Sequence, residues 1–159
     1  MSTQSTAAPV RTSIVVEAPV QRAFAVFTHE MMAWWPEDHH LLDGELGEMV
    51  FEPRAGGRIF DRGTDGRECT WARVLAYEPP ERVAFTWDIA PNWEIETDLE
   101  RTSEVEVRFI AESASRTRVE LEHRNLERHG DGWEGMHGAV ASPGGWPKTL
   151  EAFAARMAA

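Results

Sequence analysis

The sequence predicts an α+β domain in which helices cover one face of an antiparallel β-sheet. Three observations predict it. Between Gly44 and Asn125, Gly and Pro punctuate the chain at roughly 8–12-residue intervals with short β-rich runs between them, the mark of an antiparallel meander. On both sides of that region apolar residues recur at helical spacing. The longest predicted strands alternate apolar with charged residues, which leaves one dry sheet face that helices must cover.

The elements follow in order. Residues 1–11 are small and polar without a period and read as a tail, so the single domain is expected to span 12–159. The β-branched run Thr12–Ala18 is strand-like, and Pro19 suits the first turn of a helix. Val20, Ala23, Phe24 and Phe27 share one helical face, and Met31, Trp34 and Trp35 continue it in a short helix ended by Pro36. Gly44–Leu46, Glu48–Pro53 and Arg58–Arg62 are expected as brief strands separated by Gly-rich turns. Thr70–Tyr77 and Arg82–Asp88 flank Pro79-Pro80, which cannot donate ladder hydrogen bonds and so belong to the connection. In Thr102–Ala111, Val105, Val107 and Phe109 alternate with Glu104, Glu106 and Arg108; in Thr117–Asn125, Val119, Leu121 and His123 alternate with Glu120 and Glu122. A helix carrying Trp133, Met136, His137 and Val140 follows. Ser142–Gly145 interrupts it, and the final helix begins near Trp146, with Pro147 in its first turn and Leu150, Phe153, Ala154 and Met157 on its apolar stripe.

Composition narrows the function classes. The 159 residues are 42% hydrophobic and 27% charged, with 16 Lys+Arg against 27 Asp+Glu for a net charge of −11. Such a field repels phosphate backbones and anionic headgroups, so neither nucleic acid nor a membrane surface is an expected partner. The single cysteine, Cys69, excludes an internal disulfide and suits a reducing, cytoplasmic setting. Neither a secretory leader nor an apolar stretch of membrane-spanning length is read in the chain. Seven Trp and seven Phe against one Tyr form a heavy aromatic load, of the kind that lines cores or apolar pockets.

Several motifs together resemble the START-related (SRPBCC) superfamily, and within it the family named for the C-terminal domain of the activator of heat-shock protein 90 ATPase. They are V-E-A-P-V-Q-R-A-F (Val16–Phe24), Trp34-Trp35-Pro36, the Gly56-Gly57 turn, the hairpin A-R-V-L-A-Y-E-P-P-E-R-V-A-F-T-W (Ala72–Trp87) and G-G-W-P-K-T-L (Gly144–Leu150). The resemblance covers roughly residues 12–157 and implies the helix-grip fold, a curved antiparallel β-sheet wrapped around a long C-terminal helix, with an apolar cavity between sheet and last helix that binds hydrophobic molecules. It also carries an association with stress response. The activator proper has a separate N-terminal domain, which residues 1–11 cannot form, and this sets chaperone activation apart from the fold assignment. The segment Arg128–Gly145 is expected as an added helical piece over the cavity mouth.

The ligand-binding residues expected from this reading are Trp34, Trp35, Trp71, Phe85, Trp87, His123, Trp133, Met136, His137 and Trp146. Trp34 and Trp35 point about 100° apart on a helix, so one belongs to the core and the other to the cavity or its rim. Phe85 and Trp87 share a strand face with Val83, and His123 continues the inward phase of Val119 and Leu121 as a polar anchor. Trp133, Met136 and His137 would close the cavity from the added helix. Trp93, in the loop Pro91-Asn92-Trp93, is expected at a rim or partner contact, and the acidic run Glu94, Glu96, Asp98 and Glu100 at a solvated edge. His39 and His40 follow Glu37 and Asp38, but four consecutive loop residues cannot all turn to one ion, so no metal is expected. No nucleophile or phosphate-loop motif is present, and neither a catalytic residue nor a cofactor is assigned. The leading expectation is binding of a small hydrophobic or amphipathic molecule by a monomer or homodimer. A protein-interaction module with a chaperone or other protein partner, and a cavity enzyme of cyclase or hydrolase type, are the alternatives.

Overall fold

A computed structural model describes residues 8–36 and 39–158. Seven strands form one antiparallel sheet in the order β1-β7-β6-β5-β4-β3-β2: β1 (Val10–Val16), β2 (Leu46–Phe51), β3 (Arg58–Gly63), β4 (Glu68–Glu78), β5 (Arg82–Trp87), β6 (Ser103–Ser113) and β7 (Arg116–Arg124). Register shifts at Ile59/Phe60 in the β3–β4 pair and at Val74/Ala76 in the β4–β5 pair add local twist, which curls this part of the sheet. On the concave side lie α1 (Val20–His29), α2 (Met31–Trp34), α3 (Trp133–Ala141) and α4 (Trp146–Ala158). The fold is the α+β helix grip that the family resemblance implies, with the half-buried sheet that the alternation of apolar and charged residues requires. Among the described residues no helix is long and apolar enough to cross a membrane.

The core follows the strand periods. Val83 and Phe85 from β5, Val105, Val107 and Phe109 from β6, and Val119 and Leu121 from β7 are all buried on the concave face. Against them α1 presents Phe24 and Phe27, and α4 presents Leu150 and Phe153. The Phe27 ring meets Phe109 at 5.5 Å and Phe153 at 5.3 Å, both edge to face, an arrangement favoured by the ring quadrupoles. Each such ring removed from water contributes about 1.5–3 kcal/mol. Over Leu150 and Phe153, α4 therefore packs directly into the core, and the space it leaves lies at its N-terminal end.

The convex face is solvated through ion pairs. Glu106 accepts hydrogen bonds from Arg82 and, at 2.8 Å, from Arg124. Burial opposes ionisation of the Glu106 carboxyl, but those two arginine hydrogen bonds outweigh it and hold the group below the usual carboxylate range.

Some boundaries differ from the sequence reading. β1 starts at Val10, two residues before Thr12, because Val10 pairs with His123 and is buried; residues 1–7 of the expected tail lie outside the described residues. The expected strands Gly44–Leu46 and Glu48–Pro53 are one strand, β2, with an irregularity between Leu46 and Glu48. A glycine at position 47 makes a bulge look like a turn when only the sequence is read.

Candidate functional site

A cavity of about 340 Å³ opens where α3 hands over to α4. Its walls come from five places: Trp35 just after α2, the His39–Leu41 segment, the end of β5 at Trp87 and Ile89, the loop residue Trp93, and the corner running from Ala139 to Thr149. The corner depends on Gly145. A Cβ there would lie 2.3 Å from the Val140 carbonyl oxygen and 2.5 Å from that of Ala139, so only glycine lets the two helices meet this closely. Trp146 is thereby held as the first residue of α4, with its indole turned to the cavity.

Four indoles line or back the cavity in a connected chain. Trp35 lies 5.1 Å from Trp71 at a shallow 31°, Trp71 is 5.9 Å from Trp87, and Trp87 is 5.4 Å from Trp146. Trp35, Trp87 and Trp146 face the cavity, while Trp71 buttresses them from behind. The Nε1–H of Trp35 donates to the His39 carbonyl at 3.2 Å. The Trp87 Nε1–H is buried without a hydrogen-bond partner. An unpaired buried donor costs free energy; the Trp87 indole lines the pocket, but its Nε1 is closed off from solvent.

Behind Trp146 runs a buried polar chain. Its Nε1–H donates to His123 Nδ1 at 3.0 Å, and Ser103 Oγ lies 2.7 Å from both His123 Nε2 and His129 Nε2. The indole can only donate, so His123 Nδ1 accepts and its proton sits on Nε2. Ser103 then accepts from His123 and donates to His129 Nε2, which leaves the proton of His129 on Nδ1, a buried atom without a partner. Burial lowers the His123 pKa to about 3, with the neighbouring His129 and His137 adding to the shift. Burial also lowers that of His129, against the pull of Glu96 and Asp88. Both imidazoles are neutral near pH 7, as the hydrogen-bond directions require.

A second polar pair reaches the cavity from the other side. His40 lines it, and His40 Nδ1 lies 2.8 Å from Oδ2 of Asp61, a fully buried carboxylate whose Oδ1 has no partner. Asp61 shares the inward phase of β3 with Ile59. The adjacent Cys69 thiol is pushed up by burial and by the Asp61 charge, so it stays protonated.

Of the residues expected at the site, Trp35, Trp87 and Trp146 line the cavity. The others sit elsewhere. Trp34 is the core partner of the pair: it donates to the Val26 carbonyl at 3.0 Å and packs on Phe27 and Phe153. Phe85 is core and Trp71 a support, while His123 anchors the back of Trp146 instead of the cavity itself. Met136 is buried beneath α3, Trp133 packs on His137, and His137 Nε2 lies 2.8 Å from the Ala8 carbonyl oxygen, tying down the chain that leads into β1. From the added segment, Ala139 and Val140 supply the wall. Trp93, 45% exposed, stands at the rim. His40, Asp61, Ser103, His129 and Thr149 were not singled out by sequence reasoning as site residues. For Asp61 a signal exists, since an acidic residue in the inward phase of a strand is out of place unless it is paired. Among the described residues no group of three or more His, Cys, Asp or Glu could hold a metal ion.

Residues 17–158 match the family described as Activator of Hsp90 ATPase homolog 1-like protein. The chain belongs to that family. Among solved structures, this family member is similar to the anthrahydroquino-γ-pyrone synthase Txn09, solved in complex with a ligand, at 43% identity and a TM-score of 0.65 over 94% of this chain and 97% of that one. It is also similar to CalC from Micromonospora echinospora, a self-sacrificing resistance protein, at 26% identity and a TM-score of 0.66 over 94% and 93% of the two chains. Protein MLL2253 from Mesorhizobium loti, at 18% identity and a TM-score of 0.66 over 95% and 96%, shares the fold. No curated protein matches the chain closely enough to count as a relative.

Proposed function

We propose that the cavity binds a flat, polycyclic aromatic molecule carrying oxygen substituents. The observation that carries this reading is the trio Trp35, Trp87 and Trp146 around one pocket. Indole walls favour a planar ligand by area burial and by stacking, and the polar side chains of His40 and Thr149 in the lining favour a carbonyl or phenol oxygen. A cavity of about 340 Å³ is of the size that takes a small drug-like molecule. Saturable quenching of tryptophan fluorescence by a hydroxyanthraquinone, at one ligand per chain and weakened at least about tenfold in Trp146→Ala, is the expected result. Absence of saturable quenching across a series of such dyes would overturn the reading.

A second reading builds on the first: the bound molecule undergoes ring closure. The 43% identity with a γ-pyrone synthase over nearly the whole length of both chains favours it. In this reading the chain folds a reactive side arm of the ligand back onto the ring system, and confinement supplies the entropic part of the rate gain. Incubation with an anthrahydroquinone bearing an acyl side chain, followed by mass spectrometry, is the test. A product formed no faster than in buffer would remove this second reading while leaving ligand binding intact.

A further inference from the structure

We propose that His40 and Asp61 form a proton-transfer dyad for this pocket, with His40 Nε2 exchanging protons with a ligand oxygen and Asp61 as its positioning residue; this rests on the ring-closure reading. A fully buried carboxylate is expensive to keep unless something fixed is paired with it. Among the described residues Asp61 has one side-chain hydrogen-bond partner, the His40 ring at 2.8 Å, and its Oδ1 is unpaired. A carboxylate acceptor at Nδ1 requires the proton there, so in the neutral ring Nε2, on the opposite edge, carries the lone pair. His40 is carried by a pocket-lining segment, whereas Asp61 sits on β3 with Ile59 beside it in phase. One member is thus rigid and hidden and the other borders the ligand space. Neither fully buried histidine is so placed: both ring nitrogens of His123 are used by Trp146 and Ser103, and His129 does not line the pocket.

The step balances without a co-reactant. An aryl O–H of the ligand gives its proton to His40 Nε2, and the electron pair left on oxygen forms a C–O bond to a side-chain carbonyl carbon. The carbonyl π pair moves to its own oxygen, which takes the proton back from the imidazolium. The net change is addition of O–H across C=O. Asp61 holds the Nδ1–H edge of the ring throughout and stabilises the transient imidazolium.

The experiment uses the whole chain with alizarin, whose visible spectrum reports phenol ionisation, and long-range proton–nitrogen NMR of the imidazoles. In the wild type the neutral His40 ring is expected with its proton on Nδ1, and the bound dye is expected to ionise about one pH unit lower than in His40→Gln. Asp61→Asn is expected to move the His40 proton to Nε2 and to abolish the difference in dye ionisation. Should Asp61→Asn not fold, the wild-type tautomer and the His40→Gln comparison still decide. A wild-type ring protonated on Nε2, or equal dye midpoints in wild type and His40→Gln, would overturn the dyad. Dye that ionises as expected in a protein that never closes a ring would overturn the ring-closure reading alone. A dye that fails to bind would overturn the pocket assignment and the dyad with it.

Discussion

Acidification from pH 7 to pH 5 should loosen this protein through one identifiable histidine. His123 is fully buried, and its pKa falls from 6.5 to about 3, chiefly through burial. The unfolded chain takes up a proton near pH 6.5 while the native chain refuses it, so stability is full above that value and is lost as pH falls toward 3. Linkage with these two values gives a loss of about 2 kcal/mol at pH 5 and about 4–5 kcal/mol at pH 3. His129, also lowered by burial, adds in the same direction. Carboxylates confuse this little, because the Glu106 group is shifted downward and its contribution is lost only below the usual carboxylate range. Urea unfolding at pH 7, 6 and 5, compared with His123→Leu, is the assay. The variant should start less stable, since Ser103 and the Trp146 indole lose partners, but its decline between pH 7 and 5 should be shallower by about 2 kcal/mol. A parallel decline in the two proteins would refute the burial argument.

Two further substitutions test the site's supports. Gly145→Ala places a Cβ 2.3 Å from a backbone oxygen and should cost about 1–3 kcal/mol, read as a fall in melting temperature together with weaker dye binding; an unchanged melt would show that the corner relaxes freely. Ser103→Ala strands Nε2 of both His123 and His129 and should cost about 1–3 kcal/mol for each in denaturant unfolding, with a near-neutral result excluding the hydrogen-bond directions assigned above.

The fold was legible wherever one period ran long enough. Val105–Phe109 and Val119–His123 carry clean alternation, and the structure pairs them residue for residue, Val107 with Leu121 and Val105 with His123. The irregular region around Gly47 was not legible, because a bulge and a turn make the same demand on a glycine. For the site, aromaticity located the wall but not which rings face inward. Trp34 and Trp35 are chemically alike, and only the end of α2 after Trp34 decides that the first enters the core and the second the pocket. His40 was hidden for a different reason: its partner Asp61 lies on a separate strand, and pairing across 21 positions leaves no local spacing to read.

The distribution of unsatisfied polar atoms argues that this end of the fold is shaped by something other than stability. Native interiors rarely leave buried polar atoms unpaired. Four such side-chain atoms occur among the described residues, and three of them, Asp61 Oδ1, Trp87 Nε1 and His129 Nδ1, belong to the pocket wall or to chains of hydrogen bonds that end on it. The opposite half, where Phe27, Phe109 and Phe153 meet, is apolar and closely packed. If stability alone had been optimised, apolar side chains at positions 61, 87 and 129 would have removed each cost at little structural expense. Three of the four unpaired atoms thus gather at the end of the fold that carries the aromatic pocket, away from the closely packed half.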